Sequence, residues 1–261
     1  YRINHWIRLI MDDIFGYDKF RNEIIWCYRS GGKSANNYTS NHDNILFYSK
    51  SKMYIFNAQK DLSYYGQEKN TATYNLTRMN LLLHGVRPEK MTIQNGDTLS
   101  QDWPEDPARP NEGVLFDAVV MNPPYSAKNW NKADLKVSDP RFEIAGVLPP
   151  DSKGDFAFLL HGLYHLGQSG TMAIVLPHGV LFRGSSEGEI RKRLLEKNRI
   201  DAIIGLPSNL FTNTGIPVCI LVLKKDRAVG APVLVIDASK SFIKVGKQNV
   251  LQEKDIAKIV D

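Results

Sequence analysis

At 261 residues the chain is long enough to bury a sizeable core, and its composition, 43% hydrophobic and 23% charged, is that of a globular rather than a disordered protein. No stretch of about 18 uncharged apolar residues is present, which argues against a membrane span. The opening Tyr1-Arg2-Ile3-Asn4-His5-Trp6 lacks the apolar core of a signal peptide and has no initiator Met, as in an excerpt or a processed product. The net charge of +5 permits a polyanionic partner without demanding one. Residues 6–15 have helical apolar spacing and stop at Gly16. Residues 22–28 and 44–48 read as strands around a loop rich in Gly, Ser and Asn that contains Ser30-Gly31-Gly32-Lys33-Ser34. Cys27 and Cys219 both fall inside apolar runs, so buried, reduced thiols in a cytoplasmic protein are expected. No Cys/His group has zinc-ligand spacing, and no metal is expected.

From about residue 62 strands and helices alternate. Residues 62–66 suit a short buried strand, 71–83 a helix ending near Gly85, and 91–93 a strand leading into Asn95-Gly96-Asp97-Thr98. Residues 114–121 (VLFDAVVM) predict a buried strand, and 126–154 a long surface loop. Asp155 is positioned to cap a helix reaching about Leu166. Strands follow at 171–176, 200–205, 217–223 and 232–236, with a charged helix over 187–198. This rhythm predicts an α/β fold with a parallel or mixed sheet.

Asn122-Pro123-Pro124-Tyr125 directly follows the 114–121 strand, where open α/β sheets place their ligands. The residue types suit methylation of an exocyclic adenine amine, whose lone pair is delocalised into the ring. The Asn122 side-chain oxygen and the Pro123 carbonyl can accept hydrogen bonds from that amine, aiming its lone pair at an incoming methyl group. Pro123 and Pro124 stiffen the loop, and Tyr125 offers a flat face for an extruded base. Read alone, the tetrapeptide is also a rigid turn after a strand.

Residues from about 62 to 261 resemble the modification subunit of type I restriction-modification systems, which are S-adenosylmethionine-dependent adenine-N6 DNA methyltransferases. The resemblance runs through Tyr65-Gly66-Gln67-Glu68, Asn95-Gly96-Asp97-Thr98-Leu99, Asn122-Pro123-Pro124-Tyr125 and Asp139-Pro140-Arg141-Phe142. It continues through Asp155-Phe156-Ala157-Phe158, Pro177-His178-Gly179, Gly205-Leu206-Pro207, Phe211 and Ile236-Asp237-Ala238-Ser239. It implies that Glu68 binds the cofactor ribose, Asp97 the cofactor adenine amine, and Phe211 the region of the flipped base. Unaided, Glu68 reads as a helix N-terminal acid, Asn95-Gly96-Asp97 as a turn and Phe211 as a core residue. His178 reads as structural, since the methylated amine can lose its proton to water. Arg183 is a candidate phosphate contact, whereas Arg191, Lys192 and Arg193 read as a solvated helix face. The implied partners are double-stranded DNA and a specificity subunit, with the presence of a restriction subunit left open.

The family's glycine-rich cofactor turn, Asp-Pro-x-Cys-Gly-Ser-Gly, has no counterpart before Glu68. Residues 1–57 instead resemble the middle of type III-like adenine methyltransferases, through Leu9-Ile10-Met11-Asp12-Asp13-Ile14-Phe15-Gly16 and Phe20-Arg21-Asn22-Glu23-Ile24-Ile25-Trp26. The expected layout is therefore a small N-terminal α+β segment over 1–57. An incomplete Rossmann-like S-adenosylmethionine-dependent methyltransferase sheet follows over 58–261. The missing first strand should leave an unpaired sheet edge. A catalytically inactive remnant that binds only DNA or a specificity subunit is the alternative.

Overall fold

The computed structural model describes residues 20–27, 42–48, 62–100, 104–130, 135–211 and 214–260. The expected helix over 6–15 and the Gly31-Gly32 loop lie outside the described residues. By contact the chain divides into two compact units, residues 1–64 with 78–92 and residues 65–77 with 93–261. In the first, β1 (Phe20–Cys27) and β2 (His42–Tyr48) pair antiparallel from Phe20↔Tyr48 to Cys27↔His42.

The second unit is organised by a five-stranded mixed sheet. Its strands are β7 (Phe116–Met121), β8 (Leu166–Pro177), β9 (Ile200–Gly205), β10 (Val218–Lys224) and β11 (Leu234–Asp237), in the order β11-β9-β10-β8-β7. β10 runs antiparallel to both of its neighbours, while β7 is parallel to β8 and β11 to β9. The carboxyl ends of β7, β8, β9 and β11 therefore share one edge of the sheet with the start of β10.

Smaller pieces surround it. β3 (Tyr64–Glu68) and β4 (Met91–Asn95) form a separate pair, linked in sequence by α1 (Thr71–Leu83). Asn70 caps α1 by accepting the Ala72 and Thr73 N–H groups at 2.9 and 3.1 Å. Two hairpins follow, β5 (Glu105–Asp106) with β6 (Arg109–Gly113), and β12 (Ile243–Val245) with β13 (Gln248–Val250). The chain continues into α4 (Glu253–Val260).

The core is built around α2 (Asp155–Tyr164), in which eight of ten residues are buried. Phe156, Leu159, Leu160 and Leu163 pack with Met172, Ile174 and Leu176 of β8. Truncating one such Leu to Ala costs about 2–5 kcal/mol. Gly162 lets this helix settle onto the sheet, because a Cβ there would lie 2.7 Å from both Met121 Sδ and Met172 Cε. From the outer side, α3 (Ser185–Glu196) contributes Ile190 and Leu194.

Three expectations need correcting. The described residues of the 126–154 stretch, 126–130 and 135–154, are not simply a surface loop: Trp130, Leu135, Arg141, Phe142 and Ala145 are all buried, and Phe142 is inaccessible. Polar residues there conceal apolar anchors spaced too irregularly for periodicity to detect. β7 is not a buried strand, since among the described residues it has one sheet neighbour and Val120 is 85% exposed. Asp155 does not cap α2: the capping position is Gly154, without a side-chain bond, and the Asp155 carboxylate turns elsewhere.

Candidate active site

Asn122 leaves the carboxyl end of β7 one residue after Met121, which is in register with Ile174 of β8. Asn122 is exposed, Pro123 buried and Tyr125 half-buried. The Tyr125 hydroxyl donates to Asn122 Oδ1 at 2.9 Å. An amide oxygen has two lone pairs, so this bond orients the carboxamide while leaving acceptor capacity for a second donor. The Tyr125 ring meets Phe211 edge-on, with centroids 6.2 Å apart at 69°. Burial, and next the nearby Cys219 thiol, push the Tyr125 phenol above its ordinary range. Cys219 is itself inaccessible in β10, and burial pushes its thiol up to about 12.

Phe211 is held from behind. It bridges to Thr214, and the preceding turn is pinned by Asn249 of β13. The Asn249 side chain donates to Ser208 O at 2.8 Å, and its backbone N–H to Asn209 O at 3.0 Å.

The loop leaving Tyr125 is fastened by buried polar groups. Ser126 N–H donates to Asp155 Oδ1 at 2.6 Å. Arg183 Nη1 donates at 2.9 Å to both Asp155 Oδ2 and Glu187 Oε1. Asp155 is inaccessible and Glu187 is buried. Burial works against the Arg183 charge, but its bonds to Asp155 and the attraction of Glu187 hold its pKa above the ordinary value. Arg183 is thus an internal ion-pair partner rather than the exposed phosphate contact considered from sequence. Of the other basic residues, Lys192 and Arg193 lie exposed with partners at Glu196 and Glu189, and Arg191 donates to Val180 O.

Glu68 and Asp97 come together at the carboxyl ends of β3 and β4. Gly96 N–H and the Asn95 side chain both donate to Glu68 O, at 3.1 and 2.8 Å. Glu68 Oε1 accepts Asn70 N–H at 2.7 Å, and a carboxylate has acceptor sites beyond that bond. Asp97 accepts Leu99 N–H at 3.0 Å and pairs with the exposed Lys69 at 2.7 Å. This turn reaches the core through Leu99, which is 1% exposed. It is also tied to Arg141, whose Nη1 donates to Ser100 O at 2.8 Å. Arg141 is inaccessible and grips Asp139 through Nε and Nη2, at 3.0 and 2.8 Å. Burial alone would raise the Asp139 carboxyl, but the bonds and charge of Arg141 outweigh it and hold the carboxyl below its usual value.

The geometry therefore gives two sets, Asn122–Tyr125–Phe211 and Glu68–Asp97. The second presents two carboxylates with acceptor sites for hydroxyl or amine donors. His178 belongs to neither: its N–H donates to Pro217 O, and its Nε2 has no hydrogen-bond partner among the described residues. Among the described residues no group of three or more His, Cys, Asp or Glu could hold a metal ion, and no helix is long and apolar enough to cross a membrane.

The N-6 DNA methylase family profile matches residues 40–261. The chain belongs to the N-6 DNA methylase family. The chain is 49% identical over 203 residues to the type I restriction enzyme MpnII methylase subunit of Mycoplasma pneumoniae, covering 77% of itself and 37% of that relative. Among solved structures it resembles the type I restriction-modification methyltransferase subunit of Streptococcus thermophilus, with a TM-score of 0.70 and 55% identity. That match covers 76% of this chain and 41% of that one. The EcoKI M protein, at 23% identity and a TM-score of 0.55 over 74% of this chain and 39% of its own, shares the fold. The chain thus spans about two fifths of the length of these relatives. The α/β expectation holds, and the type I resemblance read from the motifs is the family found.

Asp155, Arg183, Arg141 and Asn249 were not singled out from sequence as supports of the site. One signal was available for Asp155. It heads the run Asp155-Phe156-Ala157-Phe158-Leu159-Leu160, which has no polar face, so its carboxylate had to be buried and partnered.

Proposed function

We propose that this chain carries the catalytic portion of an adenine-N6 DNA methyltransferase of a type I restriction-modification system, acting in the cytoplasm on double-stranded DNA with a specificity subunit and a restriction subunit. The observation that carries the reading is the Asn122 carboxamide at the end of β7, oriented by the Tyr125 hydroxyl, whose ring packs edge-on against Phe211.

S-adenosylmethionine supplies an electrophilic methyl group when bound. Glu68 would hold it through the ribose hydroxyls and Asp97 through the adenine amine, with the exposed Lys69 readily displaced. Residues 1–61 contain no glycine-rich turn of the family's form that would hold the methionine end. Asn122 Oδ1 and the Pro123 carbonyl accept the two hydrogens of the target amine. That fixes the direction of its lone pair and offsets positive charge as it develops on nitrogen. Tyr125 offers the face of its ring to the extruded base, and Phe211, packed edge-on against that ring, borders the same space. The excess proton leaves to water, so no side-chain base is required.

Transfer of labelled methyl groups to adenine, read by nucleoside mass spectrometry in the assembled methyltransferase, tests the reading. Asn122→Ala is expected to reduce transfer by about 10³-fold while leaving the fold intact, because Asn122 is exposed. Labelled cytosine, or an Asn122→Ala variant with full activity, would overturn it. Absence of S-adenosylmethionine binding at millimolar cofactor would favour the inactive alternative.

A further inference from the structure

The loop that carries the proposed chemistry has an unusual difficulty in being held still. Its strand, β7, has a sheet partner on one side only among the described residues. Pro123 and Pro124 have no N–H to donate, so half of the motif cannot be fastened through backbone donors. Tenths of an ångström matter, because Asn122 Oδ1 and the Pro123 carbonyl must both meet one amine. The loop's fixation therefore falls to its downstream end.

There the structure is dense with anchors. Ser126 takes a left-handed backbone conformation, φ 52°, which is uncommon for a residue with a side chain and is here held by its bonds to Asp155. Its N–H meets Asp155 Oδ1 at 2.6 Å, and its hydroxyl faces Asp155 Oδ2 at 3.5 Å. The next residues are tied to the same segment, with Gly154 N–H on Ala127 O at 2.8 Å and Asn129 N–H on Asp151 O at 3.1 Å. Asp155 is itself held by Arg183, which Glu187 braces from one turn along α3. Arg183 reaches Asp155 across Gly179, where a Cβ would lie 2.4 Å from its Nε, so only glycine lets the guanidinium pass.

We propose that Asp155, fixed by Arg183 and Glu187, is the positioning residue of the catalytic loop, setting where Asn122 and the Pro123 carbonyl stand. Two buried carboxylates sharing one guanidinium nitrogen are a poor device for stability, because desolvation offsets most of the attraction. They are a good device for location, since a fully buried charge tolerates few geometries. The inference rests on the adenine-methyltransferase reading for its kinetic consequence, but not for its structural one.

The test compares Asp155→Ala, Asp155→Asn and Arg183→Lys in the intact methyltransferase. Amide hydrogen exchange at Ser126 is followed alongside kcat and KM for S-adenosylmethionine and DNA. Asp155→Ala is expected to speed Ser126 exchange at least about 10-fold and lower kcat about 100-fold, with both KM values within about 2-fold. Asp155→Asn keeps an acceptor for the Ser126 N–H and is expected to recover at least a third of the lost kcat on a logarithmic scale. Arg183→Lys should fall between. Unchanged Ser126 exchange, or a kcat loss matched by equal losses in cofactor and DNA affinity, would overturn the proposal. If Asp155→Ala fails to fold, Asp155→Asn and Arg183→Lys are judged by the same two measures. If Asn122→Ala proves fully active, the functional reading falls, and Ser126 exchange alone decides the anchor.

Discussion

Just beyond Asn122 the chain is gripped by an inaccessible carboxylate, whereas Glu68 and Asp97 stand on strand ends whose hydrogen bonds lie open to solvent. Around the catalytic loop, Asp155, Arg183 and Glu187 exchange bonds in a low-dielectric interior, where each is strong and each missing partner is costly. Around the two acids, the local partners are Asn70, Asn95 and Lys69, all at the surface. Leu99 and Arg141 carry that turn into the core. The contrast matches what the two sets are proposed to do. A loop that aims a lone pair needs rigidity before substrate arrives, while acids that embrace a dissociable cofactor have to exchange partners each time it enters.

The sharpest way to break this contrast is Arg141→Met, which removes the buried cation that ties the Asp97 turn to Asp139. It leaves Asp139 without its guanidinium and the Ser100 carbonyl without its donor, and a loss of about 3–5 kcal/mol is expected in denaturant unfolding. A loss below about 1 kcal/mol would mean that the Asp97 turn does not depend on the core.

An intermediate effect concerns acid. His161 and His165 lie one turn apart in and just after α2, with ring centroids 4.7 Å apart. Burial, then His165, then Arg141 hold His161 well below the ordinary imidazole range. Burial, opposed by the Val114 carbonyl and aided by Arg141 and Lys225, lowers His165. In the unfolded chain both titrate near pH ~6.5, so below that pH the unfolded state binds protons first. Stability is therefore expected to be flat in this respect above about pH 6.5. As pH falls towards the depressed folded values it should decline, by up to about 1.4 kcal/mol per pH unit for each histidine. His161→Leu should flatten that decline in melting curves taken from pH 7 to pH 5.

The smallest effect sharpens the comparison from the other side. Lys69→Ala deletes a 2.7 Å ion pair, yet Lys69 is 73% exposed, so a change within about 1 kcal/mol is expected. The same substitution should strengthen cofactor binding slightly, by freeing Asp97 of a competing donor, as titration calorimetry would show.

What could be read beforehand divides along the same line. Strand 200–205 and helix 71–83 were legible to the residue, because periodicity, capping and glycine stops are local signals. Asn122-Pro123-Pro124-Tyr125 was legible because its chemistry is compressed into four neighbours. Asp155 and Arg183 were not, since their meaning depends on contacts made 28 or 29 residues away. The anchoring of residues 126–154 by Arg141 and Phe142 was hidden in the same way, as an apolar and a charged residue in a polar stretch have no period to reveal them. The strand at 166–177 begins five residues earlier than its pattern suggested, because Leu166 is recruited by pairing with Phe116.

The flank of β7 that has no sheet partner among the described residues has a practical consequence. Its six residues, Phe116 to Met121, include a single charge, Asp117, and no proline, so little prevents two copies from zipping together along their open main-chain groups. Chains prepared without a neighbour for this flank are expected to form ribbons as concentration rises. Lysine in place of Val120, which already points into water, should keep them apart in light scattering without displacing the sheet.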